Sequence, residues 1–293
     1  MSRAAESITL VSLAHAPWPL KRNRGADGRP FFDVRDGARR GRTTRHGEVF
    51  WEHPTYADDR SLLALPADFD AARPATLVVF LHGNGALLER DVWRRQRVPA
   101  QVLGAGRNAA LIAPQLARDA PDSSAGRFAV HGVFRDYLDE ACATLTRHCA
   151  PRSARAKVAA ALADARVILV AYSGGYCPAA AALTRGAARR RVAGLVLLDA
   201  LYDHAALFAD WLATQRQHAF LVSAHTASTR AQHATLERHL AARDVPVTHA
   251  LPATLAPGAA CLVPLPAACD HAALLTHAWC RAPLHDLLRR LPP

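Results

Sequence analysis

The 293-residue sequence lacks any long apolar run and has little lysine and few cysteines. No segment approaches the roughly 20 apolar residues that a transmembrane helix needs, so we predict no stable membrane insertion. The one apolar run near the N-terminus, within "SITLVSLAHAP", is short and is preceded by Glu6, which disfavours a signal peptide. These absences together predict a cytoplasmic protein.

Lysine occurs only at Lys21 and Lys157, although the formal net charge at pH 7 is +11. Arginine therefore supplies nearly all of the positive charge, and its abundance together with alanine is typical of a GC-rich genome. The arginines are scattered among acidic residues, whereas a nucleic-acid surface concentrates its basic residues on one face. We predict a solvated basic surface and no nucleic-acid partner.

The six cysteines are few for this length, and we expect them to be reduced thiols. The C-terminal "CDHAALLTHAWC" has a Cys and His spacing that matches no common zinc pattern. The Gly-x-Gly in "VLGAGRNAALIAP" lacks the third glycine of a dinucleotide site and precedes a strand rather than a helix. We therefore predict neither a metal nor an organic cofactor.

The sequence does contain an alternation of apolar strands with helical segments. Several strands are apolar along their whole length, which indicates burial on both faces between layers of helices. The fold class predicted is α/β, with a mostly parallel central sheet flanked by helices on both faces. We predict an irregular Arg/Gly/Pro-rich leader over 1–45 and a single domain over 46–293. The predicted strands are 47–56, 61–69, 74–85, 109–115, 166–172, 191–204, 218–226 and 260–266, and the main helices are 86–103, 133–149, 204–214, 229–243 and one from about 272.

Chemically competent residues follow four of these strands. "HGNG" stands at 82–85, "YSGG" at 172–175, "LLDALYD" at 197–203 and "CDH" at 269–271. Because ligands of open α/β sheets bind at the carboxyl ends of the strands, we expect these segments to meet in one site. They comprise a glycine-rich loop, a serine in a tight turn, acids and a histidine, in the chain order Ser, Asp, His.

This order and strand context resemble the α/β-hydrolase fold over roughly residues 47 to 290, as in bacterial esterases and lipases. The resemblance implies that Ser173 is the nucleophile of a Gly-x-Ser-x-Gly elbow, with Ala171 where the first glycine usually stands. Gly174 and Gly175 would let the backbone pass closely through the turn.

The "HGNG" segment resembles the His-Gly oxyanion loop of the same fold. By this likeness, the backbone N–H groups of Asn84 and Gly174 form the oxyanion hole. Gly83 and Gly85 would support the loop, and His82 is predicted to brace it rather than act as a base.

The base and the acid each leave an alternative. His271 follows the last predicted strand, where the family has its catalytic histidine, and His277 is the alternative within the predicted final helix. No acid follows the seventh strand until Glu237, so the acid is sought after the sixth strand. There we predict Asp199, at the strand end, with Asp203 as the alternative.

The segment between the sixth and seventh strands has room for one helix, which predicts a minimal lid. The function implied by the resemblance is that of a serine hydrolase cleaving an ester or related acyl bond of a small molecule through an acyl-enzyme. An acyltransferase on the same triad and a non-catalytic binding protein on the same scaffold remain the alternatives. Patterns of this kind carry no signal for an oligomeric state.

Overall fold

The computed structural model describes residues 7–44 and 47–292. Within these ranges the chain forms twelve strands, eight α-helices, one π-helix and several 3-10 helices. The strands are β1 (Ser7–Ser12), β2 (Val34–Asp36), β3 (Arg39–Thr43), β4 (Val49–Trp51), β5 (Arg60–Leu65), β6 (Thr76–Leu81), β7 (Ala109–Pro114), β8 (Arg166–Tyr172), β9 (Val192–Leu198), β10 (Phe220–His225), β11 (Val247–Thr248) and β12 (Ala260–Pro264). The α-helices are α1 (Glu52–Thr55), α2 (Val98–Leu103), α3 (Val133–Cys149), α4 (Arg155–Ala163), α5 (Tyr176–Arg185), α6 (Ala205–Gln215), α7 (Arg230–Ala241) and α8 (Pro283–Arg289). The π-helix is Leu88–Arg95, and the 3-10 helices are Gly126–Ala129, Arg152–Ala154, Ser173–Gly175, Arg189–Arg191, Ala227–Thr229 and His271–Leu275.

Nine strands form one sheet in the order β1-β5-β7-β6-β8-β9-β10-β12-β11. Only β5 runs antiparallel to its neighbours, and every other strand of this sheet has the same direction. Because parallel neighbours need a crossover, helices alternate with the strands from β6 onward. The predicted mostly parallel central sheet is confirmed.

Both faces of the sheet are buried. Successive strand residues point to opposite faces, so Leu77 and Val79 pack in one core while Val78 and Phe80 pack in the other. The first core is covered by α3 to α7, and the second by the π-helix, α2 and α8. Strands of continuous Leu, Val and Ile thus form the middle layer of a three-layer sandwich.

Two predicted helices differ from those observed. The segment predicted as a helix over 86–103 divides into the π-helix and α2, and the break falls at Arg97, whose φ is 54°. Pro99 lies in the first turn of α2, where proline is tolerated, so it does not cause the break. At the other end, the helix predicted from about 272 begins only at Pro283.

The N-terminal segment differs most from the prediction of an irregular leader over 1–45. The strand β1 pairs with β5 along its whole length, and β2, β3 and β4 form a second, three-stranded sheet. Trp18, Phe31, Phe32 and Tyr56 form a buried aromatic cluster beneath this sheet, with the Trp18 and Tyr56 ring centroids 4.9 Å apart. These aromatic residues are far apart in sequence and show no periodicity, which is why the pattern suggested an irregular segment.

The segment between β9 and β10 contains α6 alone, which agrees with the predicted minimal lid. Among the residues that the structure describes, no helix is both long and apolar enough to cross a membrane.

Candidate active site

Ser173 lies at a sharp turn between β8 and α5. The strand ends at Tyr172, a single 3-10 turn covers Ser173–Gly175, and α5 begins at Tyr176. The φ angle of Ser173 is 52°, in the left-handed region that non-glycine residues adopt at an energetic cost. Such strain is typical of functional sites, because the surrounding structure must hold the residue in place. The turn leaves Ser173 half-buried, facing a cavity of about 720 Å³.

The glycines of the turn are required by close packing. A Cβ atom at Gly174 would clash with the side-chain oxygen of Asn84, and one at Gly175 would clash with the carbonyl oxygen of Leu81 on β6. A Cβ atom at Gly83 would lie 2.8 Å from the Cβ of Ser173. The "HGNG" loop and the serine turn therefore pack against each other with no room for side chains between them.

His271 and Asp199 form a hydrogen-bonded pair beside this turn. Nδ1 of His271 lies 2.8 Å from Oδ2 of Asp199. The His271 ring stacks on the ring of Tyr172, with centroids 4.8 Å apart, and the Tyr172 hydroxyl donates to the His271 carbonyl oxygen at 3.3 Å. Since Tyr172 precedes Ser173 directly, this stacking holds the imidazole next to the serine turn.

Asp199 is completely buried and accepts hydrogen bonds from the loop that follows β10. Oδ1 accepts from the Thr226 N–H at 3.1 Å and from the Thr229 hydroxyl at 2.6 Å. Oδ2 accepts from the hydroxyls of Thr226 and Ser228 at 2.7 and 2.9 Å, besides its bond to His271. We call Thr226, Ser228 and Thr229 the hydroxyl clamp.

The hydroxyl clamp determines the charge of Asp199. Burial alone would raise the pKa of this carboxyl, but the hydrogen bonds from His271, Thr229 and Thr226 outweigh burial and hold the pKa well below its usual range. Asp199 is therefore an anion at neutral pH, and it orients His271 with the proton on Nδ1.

Neither alternative residue belongs to this pair, although Asp203 lines the cavity that Ser173 faces. The carboxyl of Asp203 accepts a hydrogen bond from the N–H of His204 at 2.6 Å, at the start of α6. His277 is exposed in a turn, with Nδ1 2.8 Å from the hydroxyl of Thr276. The structure therefore brings His271 and Asp199 together, and it joins neither Asp203 nor His277 to that pair.

The backbone N–H of Asn84 has no acceptor among the residues that the structure describes, and that of Gly174 lies in the first turn of a helix, where N–H groups lack an intrahelical acceptor. The neighbouring N–H of Gly85 is bonded to the carbonyl oxygen of Ala120 at 2.9 Å, and the Ser123 hydroxyl donates to the Asn84 side-chain oxygen at 3.2 Å. The loop is thus fixed by its neighbours, while two N–H groups beside Ser173 remain available to a ligand.

His82 is buried and ties the "HGNG" loop to the end of β7. Its Nε2 accepts hydrogen bonds from the N–H of Leu116 at 2.8 Å and from the amide of Gln115 at 2.9 Å. A backbone N–H can only donate, so the proton must lie on Nδ1, which donates to the Gly83 carbonyl oxygen at 2.8 Å. Burial lowers the pKa of His82 to about 4, so the ring is neutral at pH 7.

The strand order, the serine turn and the chain order of Ser173, Asp199 and His271 decide the architecture. The chain has an α/β-hydrolase fold.

Solved structures similar to this chain include three hydrolytic enzymes. A feruloyl esterase module from Clostridium thermocellum is 12% identical, with a TM-score of 0.44, and the match covers 99% of this chain and 96% of that one. LpqC, a poly(3-hydroxybutyrate) depolymerase from Bordetella parapertussis, is 14% identical with a TM-score of 0.44, covering 76% and 83%. A thermostable esterase from Pseudomonas putida is 12% identical with a TM-score of 0.41, covering 87% and 79%. No protein-family model and no curated protein matches the sequence. The fold assignment therefore rests on the topology of this chain itself.

Sequence reasoning missed the residues that support the pair. The hydroxyl clamp lies in "HTAST", after the strand where the acid of the α/β-hydrolase fold most often stands. The sequence has no acid after this strand but a cluster of hydroxyl residues instead. That cluster is the signal that could have indicated hydrogen-bond donors to an acid at the end of the preceding strand. Nothing in the sequence distinguishes Tyr172 from the other apolar residues of its strand. Among the described residues, no group of three or more His, Cys, Asp or Glu side chains is arranged to hold a metal ion.

Replacing His82 with glutamine should reduce the loss of stability in acid. In the folded wild type the pKa of His82 is about 4, below its ordinary value of 6.5, so the unfolded chain binds more protons between these values. The contribution of His82 is therefore fully present above pH 6.5 and is lost as the pH falls towards 4. We expect the drop in unfolding free energy between pH 7 and 4.5 to be smaller in H82Q by about 2 kcal/mol.

Urea unfolding at both pH values measures this difference. H277Q, which changes an exposed histidine, is the control and should show the same drop as the wild type. An identical drop in H82Q and the wild type would contradict a buried neutral His82.

Proposed function

We propose that this protein is a serine hydrolase that cleaves an ester or related acyl bond of a small molecule. Ser173 is the nucleophile, His271 the general base and acid, and Asp199 the carboxylate that orients the histidine. The proposal rests on one observation above all: a buried carboxylate, bonded to Nδ1 of an imidazole that is packed against the residue before a strained serine.

In this mechanism Asp199 keeps the proton of His271 on Nδ1, so Nε2 is free to accept the proton of the Ser173 hydroxyl. Oγ of Ser173 attacks the substrate carbonyl carbon as its proton moves to Nε2. The oxyanion that forms accepts hydrogen bonds from the N–H groups of Asn84 and Gly174, and one such donor typically contributes about 3 kcal/mol. The alcohol leaves with the proton from Nε2, and water then cleaves the acyl-enzyme by the same steps.

The local structure supports catalysis over binding alone. A left-handed serine and a fully buried carboxylate are both costly, and a binding pocket requires neither. Five hydrogen bonds on one carboxylate are suited to holding a histidine in one tautomer and orientation. This arrangement is the one that a serine nucleophile needs for activation.

A fluorophosphonate probe should label the wild-type protein on Ser173. We expect S173A to lose labelling completely, because the proposed mechanism activates Ser173 alone. S123A is the matched control: Ser123 lines the same cavity, and this variant should keep its labelling. Gel fluorescence and mass spectrometry of the labelled peptide measure both. An unlabelled wild type, or equal labelling of S173A, would refute the proposed function.

The same conservative change, Asp to Asn, distinguishes the roles of Asp199 and Asp203. Because Asp199, and not Asp203, is hydrogen-bonded to the His271 ring, D199N should lower kcat for a simple acyl ester by roughly 10³ to 10⁴-fold. D203N should stay within about threefold of the wild type, since its carboxyl bonds only a backbone N–H. The assignment of the acid is wrong if D203N is the more damaged variant.

The hydroxyl clamp can be tested at Thr229. T229V keeps the side-chain shape but removes a hydrogen bond to a buried carboxylate, a bond of the kind that contributes about 1.5–3 kcal/mol. We expect kcat to fall about tenfold or more with KM unchanged, because the weakened clamp holds Asp199, and through it His271, less firmly in place. T229S keeps the hydroxyl and should restore most of the rate. Equal losses in T229V and T229S would indicate a packing role alone.

A further inference from the structure

A second cavity, of about 1000 Å³, adjoins the one that contains Ser173. Arg42 lines both cavities, and the consecutive residues Tyr176 and Cys177 line one each, so the two cavities are neighbours that meet at Arg42. The second cavity lies between the N-terminal segment, α5 and α6, and nothing in the proposed mechanism uses it. We call it the basic chamber because of its five arginines, Arg24, Arg29, Arg35, Arg42 and Arg185.

The arginines of the basic chamber converge from separate parts of the chain. Arg24 and Arg29 come from the loop before β2, Arg35 from β2, and Arg185 from the last turn of α5. Within residues 7–44 and 47–292, none of these four guanidinium groups has a carboxylate partner. Four exposed arginines without a carboxylate partner therefore border one cavity.

The two aspartates of the basic chamber offset only part of this positive charge. The Asp27 carboxyl accepts a hydrogen bond from the backbone N–H of Arg29 at 3.0 Å. The Asp33 carboxyl accepts from the N–H and the hydroxyl of Thr43, at 2.8 and 3.3 Å. Neither aspartate is paired with an arginine of the chamber. Five arginines against two aspartates leave the lining with an excess of three positive charges.

Arg42 is held rigidly at the junction of the two cavities. Its guanidinium lies 4.2 Å from the centroid of the Phe31 ring, donates to the Phe31 carbonyl oxygen at 3.3 Å and lies 3.4 Å from the carboxyl of Asp122. Leu20, Ala181 and Leu207 add apolar surface to the chamber. A ligand that extends from Ser173 past Arg42 would thus meet an apolar floor and cationic walls.

We propose that the basic chamber binds an anionic group, a carboxylate or a phosphate, that the substrate carries away from its scissile bond. This inference rests on the proposed function, which places the scissile bond at Ser173. Guanidinium groups match the planar and bidentate geometry of carboxylate and phosphate oxygens better than any other side chain. Excess positive charge in a cleft also raises the local concentration of an anionic substrate. The substrate class is therefore an anionic ester.

Two esters of equal acyl length test this proposal: 4-nitrophenyl hexanoate, which is neutral, and the mono-4-nitrophenyl ester of adipic acid, which ends in a carboxylate. We expect the wild type to favour the adipate ester in kcat/KM by tenfold or more. R35Q and R185Q should each lower kcat/KM for the adipate ester about three- to tenfold, mainly through KM, and change it less than twofold for the hexanoate ester. The double variant should remove most of the preference.

R190Q is the matched control, because Arg190 is exposed and lies outside the basic chamber, so its loss changes the net charge equally. It should leave the preference unchanged. Raising the ionic strength from about 0.05 to about 0.5 M should reduce the wild-type preference, because the Debye length shortens. No wild-type preference, or an equal effect of R190Q and R185Q, would overturn the proposal.

Competitors of 4-nitrophenyl hexanoate hydrolysis distinguish the two anions. Pentanoate and butyl phosphate are the anionic competitors and pentanamide is the neutral one. At least one anion should inhibit the wild type tenfold more strongly than pentanamide, and the double variant should lose this difference. The stronger anion identifies the group that the chamber binds, and equal inhibition by all three overturns the proposal.

Failure of the inference is distinguishable from failure of the proposed function. If the neutral ester is cleaved and Ser173 is labelled but no anion preference exists, only the inference falls. If no ester is cleaved, the proposed function is refuted. Calorimetry with the same competitors then measures whether the basic chamber binds anions. Anion binding that is lost in the double variant then supports it, and no binding overturns it.

Discussion

The hydrogen bonds on Asp199 are the interaction on which the candidate site depends. An ionised carboxylate in a protein interior costs several kcal/mol unless hydrogen bonds replace its lost hydration. Here five bonds replace that hydration, and they come from two segments: the loop after β10 and the 3-10 helix that begins at His271. The carboxylate therefore fixes the positions of both segments relative to the end of β9.

The parallel sheet makes this convergence possible. Neighbouring parallel strands end at the same edge, so β8, β9, β10 and β12 deliver Ser173, Asp199, the hydroxyl clamp and His271 to one place. Ser173 and Asp199 directly follow β8 and β9, and His271 follows β12 after the loop 265–270, so all of them lie where the chain has left the sheet and can adopt an irregular conformation. Ser173 and Asp199 both have positive φ values, 52° and 46°, which turn their side chains away from the direction that the strand would give them.

Much of this arrangement was predictable from the sequence. The bounds of β8 and α3 agree with the predicted 166–172 and 133–149, because apolar periodicity is strong there. The sequence favours Asp199 over Asp203 only by its place at the strand end, since both follow the same strand. The contact itself depends on which carboxyl reaches the hydroxyls of a loop almost thirty residues later, at Thr226 and beyond. Such a contact is set by the register of β9 against β10, and single-sequence periodicity does not contain that register.

The structure of the N-terminal segment is likewise not predictable from the sequence pattern. Its arginines, glycines and prolines predict an irregular leader, yet Trp18, Phe31 and Phe32 anchor it by burying their rings with Tyr56. That burial anchors the segment that contains the short strands β2 and β3, and arginines of this segment border a cavity next to the one that contains Ser173 while staying exposed to solvent. Composition predicts the exposure of these arginines but not their position around one cavity. The fold brings several of the arginines to one cavity. This grouping arises from the aromatic contacts of the N-terminal segment rather than from any run of basic residues.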